Sequence, residues 1–245
     1  MFIKQSKLKT IYKLSLCLSI LFVTTISCGK ISPEGNIDIQ EKKVEDFNNI
    51  NVEGKFRVFL VNSPNSRVEI ETYPNIFENL KIDVKDKTLS ISEKREIKNV
   101  DFYNITIYSK YNPSKISIAD SVEFNVSGEI RGDQVNFHLK NNAKFIGAVN
   151  SRKTALEMQD LSLANFKGFT KNVELKIKDT ANLLAPYWMI ENLKLDSKNG
   201  NYAEVNVKDS LKGNVDNTAK LVYYNDPIRA FKIGKTANVQ NKKLE

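Results

Sequence analysis

The chain has 245 residues, of which 41% are hydrophobic and 27% charged: enough apolar material to bury a core, and too much for wholesale disorder. Four of the charges behind its net +8 are Lys4, Lys7, Lys9 and Lys13, in an acid-free N-terminus, so residues 28–245 carry only +4. With no basic run interleaved with aromatics there, the composition argues against a nucleic-acid-binding protein.

Those four lysines precede the apolar run Leu14–Ile26, which is too short for a comfortable membrane span and fits a signal peptide over 1–27. The run ends in Thr25-Ile26-Ser27-Cys28-Gly29. This resembles the lipobox of bacterial lipoproteins, with threonine where leucine is usual, and makes Cys28 the candidate lipidation site and the membrane the first partner. A general secretory signal cleaved nearby, or an uncleaved anchor, is the alternative. The only other cysteine, Cys17, lies in the leader, so the remainder has no disulfide and no cysteine metal site. Residues 28–43, with Pro33 and Gly35 and no apolar period, predict a flexible tether.

A β region follows over 44–112. Phe56, Val58 and Leu60 alternate, Asn62–Ser66 supplies turn residues, and Val68 and Ile70 resume, predicting a first hairpin. Pro74–Leu80 fits one helical turn with proline in the early position. Ile82 and Val84, the turn Asp86-Lys87, and Leu89 and Ile91 predict a second hairpin. After the charged connector Glu93–Lys98, Val100, Phe102, Ile105 and Ile107 predict a further strand.

Over 113–240 the chain repeats itself, with 241–245 left as a tail. An Asx residue returns at Asp120, Asn141, Asp160, Asp179, Asn199 and Asn217, at intervals of 21, 19, 19, 20 and 18 residues. The neighbours superpose too: Phe137, Leu139, Ala143 and Phe145 fall on Leu156, Met158, Ser162 and Ala164, then on Leu175, Ile177, Ala181 and Leu183. A period of about 20 with strand-like alternation is a solenoid signature, in which stacked rungs bury a face that one rung cannot bury alone. The Asx column fits the corners, because Asn and Asp tolerate left-handed backbone and their side chains can ladder between rungs. Calcium binding is the rival reading of that column. Against it, half the members are Asn and the glycine-aspartate nonapeptide pattern is missing.

The spacing of Phe47, Ile50, Val52, Gly54, Phe56, Val58 and Leu60 resembles the opening of the "putative auto-transporter adhesin, head-GIN domain" family. The resemblance runs on to Val215-Asp216-Asn217-Thr218-Ala219-Lys220-Leu221, Tyr223, Tyr224 and Pro227, and so covers about residues 45 to 240. It implies an all-β fold: a right-handed parallel β-helix of six or seven rungs preceded by a smaller β-rich region. It also implies a secreted or lipid-anchored protein of a kind common in Bacteroidetes, with no assigned activity. Family members usually carry Gly-Ser-Gly at the corners, where this chain carries Asn or Asp.

No nucleophile elbow, zinc-helix motif, phosphate loop or dinucleotide fingerprint is present. The one histidine, His138, stands between Phe137 and Leu139 on the opposite strand face, without a second histidine to complete a metal site or triad. No catalytic residue, metal or cofactor is therefore assigned. The aromatic cluster Tyr187, Trp188, Tyr223 and Tyr224, with Tyr202 on an intervening rung, is the candidate binding site, since flat rings stack on sugars and on partner side chains. Trp188 and one of Tyr223 and Tyr224 also suit core packing. The functional expectation is a non-catalytic, extracytoplasmic outer-membrane lipoprotein, on the periplasmic or the surface side, that binds a glycan or another envelope protein. The alternative is a polysaccharide lyase or hydrolase, using outward carboxylates on adjacent rungs such as Glu157 and Glu174.

Overall fold

The computed structural model describes residues 29–243, so the leader over 1–27, Cys28 and residues 244–245 lie outside it. The described residues form a parallel β-solenoid of about seven turns. Its repeating part consists of long bent strands, β9 (Glu123–Leu139), β10 (Lys144–Met158), β11 (Leu163–Ile177), β12 (Asn182–Ser197) and β13 (Tyr202–Val215). Each pairs in parallel with the next, which sets Phe137 beside Leu156 and Leu175, Leu139 beside Met158 and Ile177, and Phe145 beside Ala164 and Leu183. These in-register columns point inward because every second side chain of a strand lies on the same face. Phe124, Phe145, Phe166 and Trp188 form a stacked spine inside, with successive ring centroids 6.1, 4.5 and 4.7 Å apart.

The six Asx residues sit where the coil turns, with φ between 57° at Asn217 and 67° at Asn199. Their side chains link every neighbouring pair. Asn141 Nδ2 donates to Asp120 Oδ1 at 2.7 Å, and Asn141 N–H donates to Asp160 Oδ2 at 3.0 Å. Asp160 N–H donates to Asp179 Oδ2 at 3.4 Å, Asn199 Nδ2 to Asp179 Oδ1 at 3.1 Å, and Asn217 Nδ2 to Asn199 Oδ1 at 3.0 Å. Backbone bonds continue from rung to rung through the same corners, as in Leu161 N–H to Asn141 O and Thr180 N–H to Asp160 O. The corner therefore keeps the parallel ladder intact while the chain changes direction.

The N-terminal strands are β1 (Asp38–Lys43), β2 (Asn49–Gly54), β3 (Arg57–Asn62), β4 (Arg67–Thr72), β5 (Leu80–Lys85), β6 (Thr88–Glu93), β7 (Asn104–Ser109) and β8 (Lys115–Asp120), with the short helix α1 at Pro74–Glu78. They do not stack in chain order. β2 lies between β6 and β8, and β3 between β7 and β9, all in parallel, so the β2–β3 coil is sandwiched between one that follows it by some 40 residues and the start of the repeats. The N-terminal β strands are thus part of the solenoid itself. β5 pairs antiparallel with β6, β4 with β7, and β1 with β4, closing this end of the stack.

Two expectations need correction. β3 and β4 are not a hairpin, because β7 lies between them. The turn residues Asn62–Ser66 do connect them, but each strand pairs with β7 instead of with the other. Nor are residues 28–43 a free tether over their described length. β1 pairs with β4 from Asp38↔Thr72 to Lys43↔Arg67, and Ile31 bridges to Ile97. A segment without apolar alternation is held here by backbone hydrogen bonds to a sheet edge, which leave no side-chain pattern to read. The second hairpin forms as expected, β5 to β6, with both Asp86 (φ 48°) and Lys87 (φ 58°) left-handed in its two-residue turn.

At the other end, β14 (Lys220–Tyr224), β15 (Ile228–Ile233) and β16 (Asn238–Lys242) complete the stack in parallel.

Candidate binding surface

Outward-pointing side chains form columns along the solenoid, because parallel in-register strands repeat one position every rung. His138, Glu157, Lys176, Asp196 and Asn214 make one such column. Glu157 accepts from Lys176 Nζ at 2.8 Å and lies 3.4 Å from His138 Nδ1. That hydrogen bond from Lys176 holds the Glu157 carboxyl below its ordinary range. Glu174 lies 3.8 Å from Lys153. Both carboxylates considered for hydrolysis thus face lysines on neighbouring rungs. Among the described residues no group of three metal-ligating side chains converges.

The aromatic cluster is divided by a bulge. β12 pairs with β13 through Ala185↔Val205 and then Met189↔Asn206, so Pro186, Tyr187 and Trp188 have no partner on that side. Asn206 Nδ2 closes the gap by donating to Pro186 O at 3.0 Å. Extra residues in one strand reverse the inward–outward phase, a common way to re-aim a side chain. Here they turn Tyr187 out, at 73% exposure, and Trp188 in.

Trp188 and Tyr223 therefore do not belong to the binding surface. Trp188 is fully buried, stacks on Phe166, and donates from Nε1 to Thr170 Oγ1 at 3.1 Å. Tyr223 is 3% exposed and meets Phe231 edge-on at 6.2 Å, and its hydroxyl accepts from Arg229 Nη1 at 3.1 Å. Both are large apolar rings at positions whose phase points to the core, and burying them gains more than a surface contact would.

What remains outside is Tyr187, Tyr202 and Tyr224, with Glu204 at their centre. Tyr202 Oη donates to Glu204 Oε2 at 3.1 Å, and Tyr224 Oη donates to the other oxygen, Oε1. Two rungs thus grip one carboxylate between two phenols. The hydrogen bond to Glu204, then partial burial and the Glu204 charge, push the Tyr224 hydroxyl up to about 12. Tyr202 is raised mainly by burial and then by Glu204. Beside them Met189 and Phe169, register partners on adjacent rungs, are half-exposed and extend the apolar part of the face. Glu204 was missed from the sequence, although its place two residues after Tyr202 puts it on the same strand face. Met189 was missed because the bulge before it shifts its phase, whereas Phe169 keeps the regular alternation of β11, outward between Gly168 and the buried Thr170, and could have been read from it.

Away from this flank, a concavity of about 700 Å³ opens at the N-terminal end between Glu53, Lys55, Glu93, Arg95 and Asp120. Lys55 N–H donates to Glu93 Oε1 at 2.9 Å, and burial raises the Glu93 carboxyl. Hydrogen bonds from Lys55 and Lys30 hold Glu96 down to about 2.

The fold and this surface define a β-solenoid closed at its N-terminal end, with an exposed tyrosine flank and no assembled catalytic constellation among the described residues. The chain belongs to the family described as "Putative auto-transporter adhesin, head GIN domain", which matches residues 46–227. Its fold is shared by a "putative adhesin" from Bacteroides fragilis, at 18% identity and a TM-score of 0.81, covering 86% of this chain and 100% of that one. A "putative lipid binding protein" and a "putative adhesin" from Parabacteroides distasonis also share it. They are 14% and 19% identical, with TM-scores of 0.71 and 0.70, each covering 87% of this chain and 100% of its own. No curated protein matches the sequence.

Proposed function

We propose that the protein is a non-catalytic, extracytoplasmic lipoprotein, anchored in the outer membrane through Cys28, that binds a glycan on its tyrosine flank. The observation that carries this reading is the Tyr202–Glu204–Tyr224 clamp beside the exposed Tyr187 ring. A flat ring stacks on the apolar face of a sugar, and a carboxylate fixed between two phenols offers acceptor positions for sugar hydroxyls without having to be ordered on binding. Membership of an adhesin-described family supports binding and an envelope location. The lipobox-like run at Thr25–Gly29 supports the anchor.

Incubation with a panel of polysaccharides tests both halves of the claim. The expected result is retention of particular glycans with no new reducing ends or unsaturated sugars. Specific cleavage would favour the lyase or hydrolase alternative, and retention of an envelope protein but of no glycan would replace the ligand class. For the anchor, the Cys28→Ser protein is expected to leave the membrane fraction; if it still partitions fully with membranes, lipidation is wrong.

A further inference from the structure

The segment directly after Cys28 is fixed to the body of the solenoid. Arg95 donates from Nε and Nη2 to Gly29 O at 3.2 and 2.5 Å. Ile31 N–H donates to Glu96 O at 2.9 Å, Lys98 N–H returns to Ile31 O at 2.8 Å, and Lys30 Nζ donates to Glu96 at 2.9 Å. Further on, Asn75 of α1 holds the chain on both sides, donating to Ser32 O at 2.8 Å and accepting from Glu34 N–H at 3.0 Å. β1 then joins the sheet.

The consequence is one of reach. Fifteen free residues, 29–43, could carry the solenoid about 50 Å from the anchor. With Gly29 fastened, a single residue separates a lipid on Cys28 from the 94–98 loop, and consecutive Cα atoms are only about 3.8 Å apart. The anchored domain cannot then swing away from the bilayer.

The loop that holds Gly29 exposes Lys94, Arg95 and Lys98. None of the three makes an ion pair among the described residues, whereas Lys30 and Lys55 both clamp Glu96. Such cations suit phosphate-bearing headgroups. The tyrosine flank lies several rungs away, on β12 to β14.

We propose that the mature N-terminus is latched on the 95–98 loop, so that this loop is the face turned to the phospholipid headgroups and the solenoid is presented from a fixed base. The inference rests on the lipid-anchor reading above, and its test separates the two. The mature chain has no thiol beyond the acylated Cys28, so Lys98→Cys or Lys232→Cys can be labelled uniquely with a fluorophore. Eight strand pairings separate β6, beside the loop, from β15, which carries Lys232, or roughly 40 Å at about 4.8 Å each.

Lipidated full-length protein goes into phosphatidylethanolamine–phosphatidylglycerol vesicles containing a lipid with a nitroxide on its headgroup. Quenching is expected to be several-fold greater at position 98 than at 232, and an Arg95→Ala/Asn75→Ala variant, which frees the chain up to β1 but leaves β1 on the sheet, should narrow that difference. Equal quenching in protein that has partitioned into vesicles overturns the latch and leaves the anchor standing. Failure of the wild type to partition at all overturns both. Hydrogen exchange gives a second reading that needs no vesicle: the Ile31 and Lys98 amides should be protected in the wild type and lose protection in the variant. Fast exchange of both in the wild type overturns the latch.

Discussion

Replacing Asn141 by valine tests the corners where their cost is most separable. Asn141 holds φ at 60°, and its side chain donates to Asp120 Oδ1 at 2.7 Å on the exposed edge of the ladder. For a β-branched residue the left-handed region costs about 1–2 kcal/mol, and the lost hydrogen bond adds about 0.5–1 kcal/mol, so the variant should be destabilised by about 1.5 to 3 kcal/mol. Glycine at the same position loses the side-chain bond but not the backbone fit, and should cost no more than about 1 kcal/mol. Urea unfolding followed by far-UV circular dichroism gives the midpoint of each. Provided the slope is unchanged, the difference between the valine and glycine variants isolates the backbone term. In a chain of this size the valine variant should melt about 3 to 12 °C lower. Valine and glycine variants of equal stability would refute the corner argument.

Three other outcomes follow from the packing and the clamp. A Cβ at Gly213 (φ 127°) would lie 1.8 Å from Leu195 O, so Gly213→Ala should cost about 3 kcal/mol or more by the same assay, and a neutral result would mean the two rungs sit farther apart. Trp188 is the chain's one tryptophan and is fully buried, so its emission should resist an aqueous quencher in the folded state, and Trp188→Ala should cost about 3–5 kcal/mol; ready quenching would put the indole at the surface. The Tyr224 hydroxyl, raised to about 12, keeps its proton in the fold at pH values where an unfolded tyrosine, near 10, has lost it. Its contribution to stability is therefore complete below about pH 10 and lost as pH rises toward 12. Ultraviolet titration should show that late phenol, and Glu204→Gln should bring it earlier; an unmoved titration would remove Glu204 as the cause.

Some of this architecture was legible because it is written in parity and period. The columns running from Phe137 to Leu175, and from His138 to Asn214, follow from a repeat in which neighbouring rungs place like positions side by side, and the φ values of the Asx residues are those that Asn and Asp accept most readily among non-glycine residues. The failures occur where parity breaks. Leu183 and Ala185 point inward, as do Trp188 and Ile190, so the phase slips between them, and a reader counting alternate residues would bury Tyr187 instead. Pro186, which has no N–H to give the ladder, marks the place of the bulge but not how many residues it adds or which ring it turns outward. In β14 the count does work: Leu221 and Tyr223 share the inward face and Tyr224 the outer one. Pairings that leave no side-chain signature were invisible, namely β1 on β4 and the insertion of the β2–β3 coil between later strands, because both are decided by backbone partners distant in sequence.

The most direct test of the binding claim uses whichever glycan the panel retains. Isothermal titration should give an affinity that falls at least about ten-fold, or 1.4 kcal/mol, in Tyr187→Ala and again in Glu204→Gln, since one removes the exposed ring and the other the clamped charge. Both side chains lie on the outside of the coil, and circular dichroism should show both variants folded. Wild-type affinity in the two folded variants would contradict the account and move the binding surface away from the tyrosine flank.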